Sequence, residues 1–141
     1  MQKIKIITVG KTKESWLQDA IEEYHKRLKN SITIEWTLAK DTEQLISLAR
    51  RESYLISLDP LGRQHTSEEF SDFLHSHLVK SGSRLAIIIG GAEGIPEILK
   101  QKSQSLISLS KMTFTHQITR LIIIEQIYRS FEIQKASGYH K

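Results

Sequence analysis

The 141-residue chain contains no cysteine and only two prolines. Without cysteine there is no disulfide framework, zinc–thiolate site or iron–sulfur cluster. Long apolar runs are missing too: the longest, Leu85 to Ile89, has five residues, whereas a membrane span needs roughly 20. The opening Met-Gln-Lys-Ile-Lys-Ile lacks the apolar core of a signal peptide. A cytoplasmic protein with no membrane partner is expected. Neither G-x-G-x-x-G nor P-loop spacing occurs. His75 and His77, two residues apart on an expected helix, point in different directions and make a poor metal pair. With His25 and His65 they read as surface or boundary residues, so no metal is expected.

What is present is an alternating rhythm. Lys3 to Val9 alternates around Ile4, Ile6, Ile7 and Val9 and stops at Gly10, as a strand and turn would. Ser15 to Leu28 spaces Trp16, Leu17, Ala20, Ile21, Tyr24 and Leu28 as a helix face. Ile32 to Leu38 alternates as a second strand, and Asp41 or Thr42 can cap a short helix. Tyr54 to Leu58 predicts a third strand, ended by the turn residues Asp59-Pro60-Leu61-Gly62. Ser67 is placed to cap a helix whose inner face is Phe70, Phe73, Leu74 and Leu78.

Leu85 to Ile89 reads as a strand covered on both faces. It runs into Gly90-Gly91-Ala92-Glu93-Gly94, with Pro96 at the first position of the next helix. Leu106 to Leu109 makes a fifth strand, and a long helix follows from about Thr115 to Gln134. That helix is apolar over more than one face, which calls for a partner besides the sheet; a second subunit is the expectation. The pattern predicts one α/β domain over residues 1–141, with a mainly parallel sheet flanked by helices.

Ligands of such sheets bind beyond the carboxyl ends of the strands, here the loops after Leu58, Ile89 and Leu109. The glycines of the middle loop permit close backbone approach, or serve only a tight turn. Glu93 is either a catalytic carboxylate or, preferably, an acceptor stabilising that turn. Charge is one-sided. Residues 1–100 hold 14 basic and 14 acidic side chains, so the net +4 lies wholly in residues 101–141. A localised basic excess suits a polyanion such as nucleic acid, although no aromatic RNA-stacking motif stands out. Arg129 and the closing Tyr139-His140-Lys141 form a second candidate site, because histidine among basic groups can hold or take a proton near neutral pH.

Six segments together carry a resemblance. They are Ile-Ile-Thr-Val-Gly-Lys (6–11), Leu58-Asp59-x-x-Gly62, Ile89-Gly90-Gly91-x-Glu93-Gly94, Leu109-Ser110-Lys111-Met112-Thr113-Phe114-x-His116-Gln117, then Arg120 with Ile124-Glu125-Gln126-x-Tyr128-Arg129, and the final Tyr139-His140-Lys141. In these the chain resembles the RlmH family of ribosomal large-subunit pseudouridine methyltransferases, within the SPOUT superfamily of trefoil-knotted enzymes. The resemblance implies a C-terminal deep knot and a homodimer. It implies S-adenosylmethionine held by Leu58, Gly90 and the loop of Leu109, Ser110, Lys111, Met112, Thr113 and Phe114. It implies methylation at N3 of a pseudouridine in the subunit-bridging hairpin of 23S rRNA.

On that reading His140 assists N3 deprotonation, Arg129 and Tyr139 orient the base or stabilise its anion, and Glu125 holds the Arg129 guanidinium. A methyltransferase acting on another RNA, or an inactive RNA-binding dimer, are the alternatives. Two departures stand out. Thr115 replaces the family's usual proline, giving either a looser loop or a helix cap, and the section from Leu38 to Tyr54 is shorter by about a dozen residues as aligned on the family.

Overall fold

A computed structural model describes residues 1–141 as five strands and five helices in alternation. The strands are β1 (Lys3–Val9), β2 (Thr33–Ala39), β3 (Leu55–Gln64), β4 (Arg84–Ile89) and β5 (Ser105–Ser108). The helices are α1 (Ser15–Leu28), α2 (Thr42–Arg50), α3 (Ser67–Lys80), α4 (Glu97–Lys102) and α5 (His116–Lys135). All pairings are parallel, in the order β2-β1-β4-β3-β5. The expected sheet with helices on both faces is therefore the one formed.

Alternation along the strands divides the core. Ile4, Ile6, Ile56, Leu85, Ile87 and Ile89 face α1, α3 and α5, with Leu17, Leu74 and Ile124 among the residues covering them. Ile7, Leu55, Ala86 and Ile88 face the other way, against Leu45 and Ala49 of α2 and Leu99 of α4. β4 is buried from Leu85 to Ile89, as a strand covered on both faces must be.

α5 lies between α1 and α3. The backbone N–H of Lys13 donates to Gln117 Oε1 at 3.0 Å, and Lys135 Nζ donates to Ser31 Oγ at 3.3 Å. The sequence offset is the same at both ends, so α1 and α5 run side by side in the same direction. On its other flank Ser67 donates to Gln126 Oε1 and Ser71 to the Ser130 carbonyl. Within one chain α1, α3 and the sheet bury Ile123, Ile124, Ile127 and Phe131, while Ile118, Leu121, Ile122, Tyr128 and Ile133 of α5 stay partly exposed.

Other differences are local. Trp16 fits the helical spacing of the inner face of α1, yet it is 55% exposed. Thr66, not Ser67, caps α3, in a reciprocal box with Glu69, the motif in which cap hydroxyl and third-residue carboxylate each satisfy a free N–H. Pro96 is the cap of α4 rather than its first residue. β5 begins and ends one residue before the expected range.

The largest difference is β3. It does not stop at Leu58 but resumes beyond Asp59-Pro60-Leu61-Gly62, and both Leu58 and Arg63 lie opposite Ile107 of β5. The four intervening residues loop out while the ladder continues across the gap. Pro60 is exposed in that loop and withholds no ladder donor. Gly62 is required there, because a Cβ would lie 2.7 Å from the Ile107 and Leu106 backbone.

Candidate active site

β4, β3 and β5 are neighbours in the sheet, so the loops after Leu58, Ile89 and Ser108 leave from adjacent strand ends. Leu58 is half-buried and Gly90 is partly covered. A Cβ on Gly90 would sit 2.5 Å from Gly94 C and O, whereas one on Gly91 would meet only the Val9 side chain at 3.6 Å. The glycine turn closes through its own main chain, with Gly94 N–H donating to the Gly91 carbonyl at 3.0 Å. Glu93 is exposed; backbone bonding, not its carboxylate, holds the turn.

The last of the three loops is shaped by its serines. Ser108 Oγ donates to the Ser110 carbonyl at 2.8 Å, and Met112 N–H donates to Ser110 Oγ at 2.9 Å. Lys111, Met112, Thr113 and Phe114 are exposed. Thr115 caps α5, its side chain accepting from Ile118 N–H at 3.2 Å, which settles the helix-cap alternative for that position. A cleft of about 140 Å³ opens beside Leu109, lined also by Ile107, Ser108, Thr66, Ser67 and Gln126.

Across α5 from this cleft lies the tail constellation. Gln126 Nε2 donates to Glu125 Oε1 at 3.0 Å. Glu125 Oε2 accepts from Arg129 Nη2 at 2.8 Å and from the Tyr139 hydroxyl at 2.8 Å. Arg129 lies over the Tyr139 ring, 4.9 Å from its centroid, and Arg129 Nη1 is 3.0 Å from His140 Nδ1. A guanidinium can only donate, so Nδ1 accepts and the histidine proton sits on Nε2, which faces Glu68 Oε1 at 3.2 Å. All four tail candidates, Glu125, Arg129, Tyr139 and His140, thus form one contiguous network.

Electrostatics follow from this wiring. The Glu125 bond raises the Arg129 pKa, so its charge is fixed. Burial first, then the bonds to Glu125 and the neighbouring Tyr24 phenol, push the Tyr139 hydroxyl well above its ordinary range. Tyr139 is therefore a neutral donor and not a base. The sequence places Tyr24 on a helix face and Tyr128 in a family segment but assigns neither of them, nor Glu68, to the site. Glu68 sits in the first turn of α3, where a carboxylate suits the positive helix end, and nothing local to it announces a contact 72 positions away.

α5 is anchored beneath the site by Arg120, which is completely buried. It donates to the carbonyls of Val9 at 2.7 Å and Gly10 at 2.9 Å and to Thr12 Oγ1 at 2.9 Å. Arg120 Nε and Thr8 Oγ1 are buried without a hydrogen-bond partner. No three His, Asp or Glu side chains converge to hold a metal ion, and no helix is long and apolar enough to cross a membrane.

Comparison with known proteins places this architecture. A family described as "Predicted SPOUT methyltransferase" matches residues 2–140. Ribosomal RNA large subunit methyltransferase H of Protochlamydia amoebophila is 59% identical over 141 residues, covering 100% of both chains. A probable methylase family protein from Haemophilus influenzae superposes with a TM-score of 0.60 at 12% identity, covering 99% of this chain and 70% of that one. A putative methyltransferase from Legionella pneumophila, solved with bound SAM, gives 0.50 at 11% identity over 92% of this chain and 66% of that chain. The last two likenesses concern the fold alone. The end-to-end sequence match decides the family: the chain belongs to the SPOUT methyltransferases, among the ribosomal RNA large subunit methyltransferases H.

Proposed function

We propose that the protein methylates N3 of a pseudouridine in the subunit-bridging hairpin of 23S rRNA, on assembled 70S ribosomes in the cytoplasm, as a homodimer. The observation that carries this reading is the contiguous Glu125–Arg129–Tyr139–His140 network. The relatives' name supplies the class of substrate.

The strand-end loops suit S-adenosylmethionine. Gly90 lets its turn close on Gly94 main chain where a Cβ would clash, and Ser108 and Leu109 wall the cleft just ahead of the turn at Ser110. Leu58, Gly90, Leu109, Ser110, Lys111, Met112, Thr113 and Phe114 would hold it, mostly through backbone groups. The cofactor supplies an already activated methyl group. The deep knot is what membership of the SPOUT family implies.

N3 of a pseudouridine is an imide nitrogen flanked by two carbonyls, so its deprotonation spreads charge onto both oxygens. His140 takes that proton at Nδ1, which requires Arg129 to leave that nitrogen. Arg129, still held by Glu125 at Nη2, then donates from Nη1 to a base carbonyl, where a donor aimed at developing charge stabilises the anion. Tyr139 orients the base, and Glu125 keeps Arg129 and Tyr139 in place. Alignment alone supplies up to about 7–11 kcal/mol in favourable cases.

The homodimer is supported by apolar residues exposed near the start of α5: Trp16 at 55%, Met112 at 75% and Phe114 at 37%. In the dimer, one subunit's tail serves the cofactor loops of the other. A mixed dimer of a His140→Ala subunit and a Gly90→Ala subunit tests this. Restored methylation supports the shared site; an inactive mixed dimer contradicts it.

A further inference from the structure

Along α1 and α5, three tyrosines touch in series. Tyr24 and Tyr128 have ring centroids 5.8 Å apart, and Tyr128 meets Tyr139 edge-on at 4.8 Å. Two guanidinium groups interleave with them. Arg27 lies 5.2 Å from the Tyr24 centroid and 5.6 Å from that of Tyr128, and Arg129 covers Tyr139. One end of this strip is thus Tyr139, next to His140. Tyr24 also touches Tyr139 through its phenol, whereas Arg27, at the other end, has no part in the chemistry proposed above.

Tyr24 and Tyr128 pack partly buried against the core, which leaves Arg27 on their solvent side with no packing role. The α1–α5 contact is already made by Leu17, Ile21, Leu28, Ile123, Ile124 and Ile127, all buried in one core. Arg27 remains largely exposed, and its carboxylate partner is Glu23, one turn away at 2.9 Å, with side chains 40% and 52% exposed. Such pairs are weak and readily exchanged. Lys26, Lys29 and Lys135 are exposed on the same helix ends, so a polyanion meets further cations there.

Aromatic rings and arginine planes side by side are what unpaired RNA nucleotides use: bases stack on them while cations meet the phosphates. From this arrangement we infer that Tyr24, Arg27 and Tyr128 bind the unpaired nucleotide next to the one presented to His140. Arg27 exchanges Glu23 for that nucleotide's phosphate, and the tyrosine edges and faces take its base. The inference rests on the RNA-methylation reading above and extends its site from the tail onto α1.

Steady-state methylation of ribosomes by Arg27→Ala, Arg27→Lys and Tyr24→Leu tests it, with Lys40→Ala, at the far edge of the sheet, as control. Arg27→Ala is expected to raise the KM for ribosomes by about tenfold, the scale of one lost stacking contact, with kcat falling much less. Its dependence of log KM on log salt becomes shallower by about one phosphate contact. Arg27→Lys restores the salt dependence but only part of the KM, since a point charge does not stack. S-adenosylmethionine affinity and melting temperature stay at the parent values. An unchanged KM in Arg27→Ala overturns the inference, as does a KM change matched by a lowered melting temperature or a shift in sedimentation, which would mark a contact between helices or copies. A parent protein that methylates no ribosomal RNA overturns the underlying reading instead, and that outcome is distinct from an active parent with an indifferent Arg27→Ala.

Discussion

The Tyr139 hydroxyl donates to Glu125 Oε2 at 2.8 Å across 14 positions of sequence, and that same oxygen holds Arg129. The chain's end is thereby folded back onto the middle of α5. Charge-assisted bonds of this kind contribute about 1.5–3 kcal/mol each, and loss of either disturbs the other.

Glu125→Gln should therefore lower kcat/KM by roughly 10- to 100-fold, at 1.4 kcal/mol per factor of ten, with cofactor affinity retained. Tyr139→Phe should cost about tenfold by the same scale. Because both act through one carboxylate, the double variant should be little worse than Glu125→Gln alone. Kinetics of the two single variants and the double check this, and fully additive losses would contradict it.

The glycine turn makes a sharp contrast between neighbours. Gly90→Ala forces a Cβ to within 2.5 Å of Gly94 main chain, while Gly91→Ala places one in ordinary contact with Val9 at 3.6 Å. Calorimetric titration with S-adenosylmethionine should show Gly90→Ala weakened by more than about tenfold, equivalent to roughly 1.4 kcal/mol, and Gly91→Ala near the parent.

Arg120 has three oxygen acceptors from the β1–α1 connection and no carboxylate among its hydrogen-bond partners. Arg120→Met leaves buried carbonyls unpaired at about 1–3 kcal/mol each, which should lower the melting temperature by about 10 °C in a chain of this size. Arg120→Lys should recover only part, since one ammonium does not reproduce the planar fork. A melt unchanged in Arg120→Met would contradict this account of how α5 is anchored.

Burial lowers the pKa of His25, His65, His75, His77 and His116 from 6.5. The unfolded chain binds protons more readily at these sites, so they contribute stability above pH 6.5 that is lost as pH falls through their lowered folded values. Melting temperature should be flat between about pH 7 and 8 and fall steadily toward pH 5. Tyr139 works at the opposite end: its raised pKa keeps the neutral form, so tail docking persists through neutral pH and fails only in strong alkali. Thermal melts from pH 5 into strong alkali check both signs.

Legibility in the sequence followed the range of the physics. Elements set by local periodicity, such as Lys3–Val9 and Ser15–Leu28, lie where the pattern put them. Asp59-Pro60-Leu61-Gly62 misled because turn residues report a local bend; they carry no record that Arg63 rejoins Ile107. Trp16 fitted the helical spacing, yet its position lies beyond the inward arc occupied by Leu17 and Ile21. The apolar breadth of α5 was visible, but whether α1 and α3 or another copy covers it is a tertiary fact. The Glu125–Arg129 pair could be read from one-turn spacing, whereas Glu68 against His140 and the Tyr24–Tyr128 contact join distant segments without a local signature.

The central claim is tested most directly by treating 70S ribosomes from cells lacking this methylation with purified protein and labelled S-adenosylmethionine, then mapping the label. The account predicts one labelled 23S pseudouridine, modified at N3 and lost in His140→Ala. Label on a ribose, on a uridine or on tRNA alone, or none despite measurable cofactor binding, would contradict it.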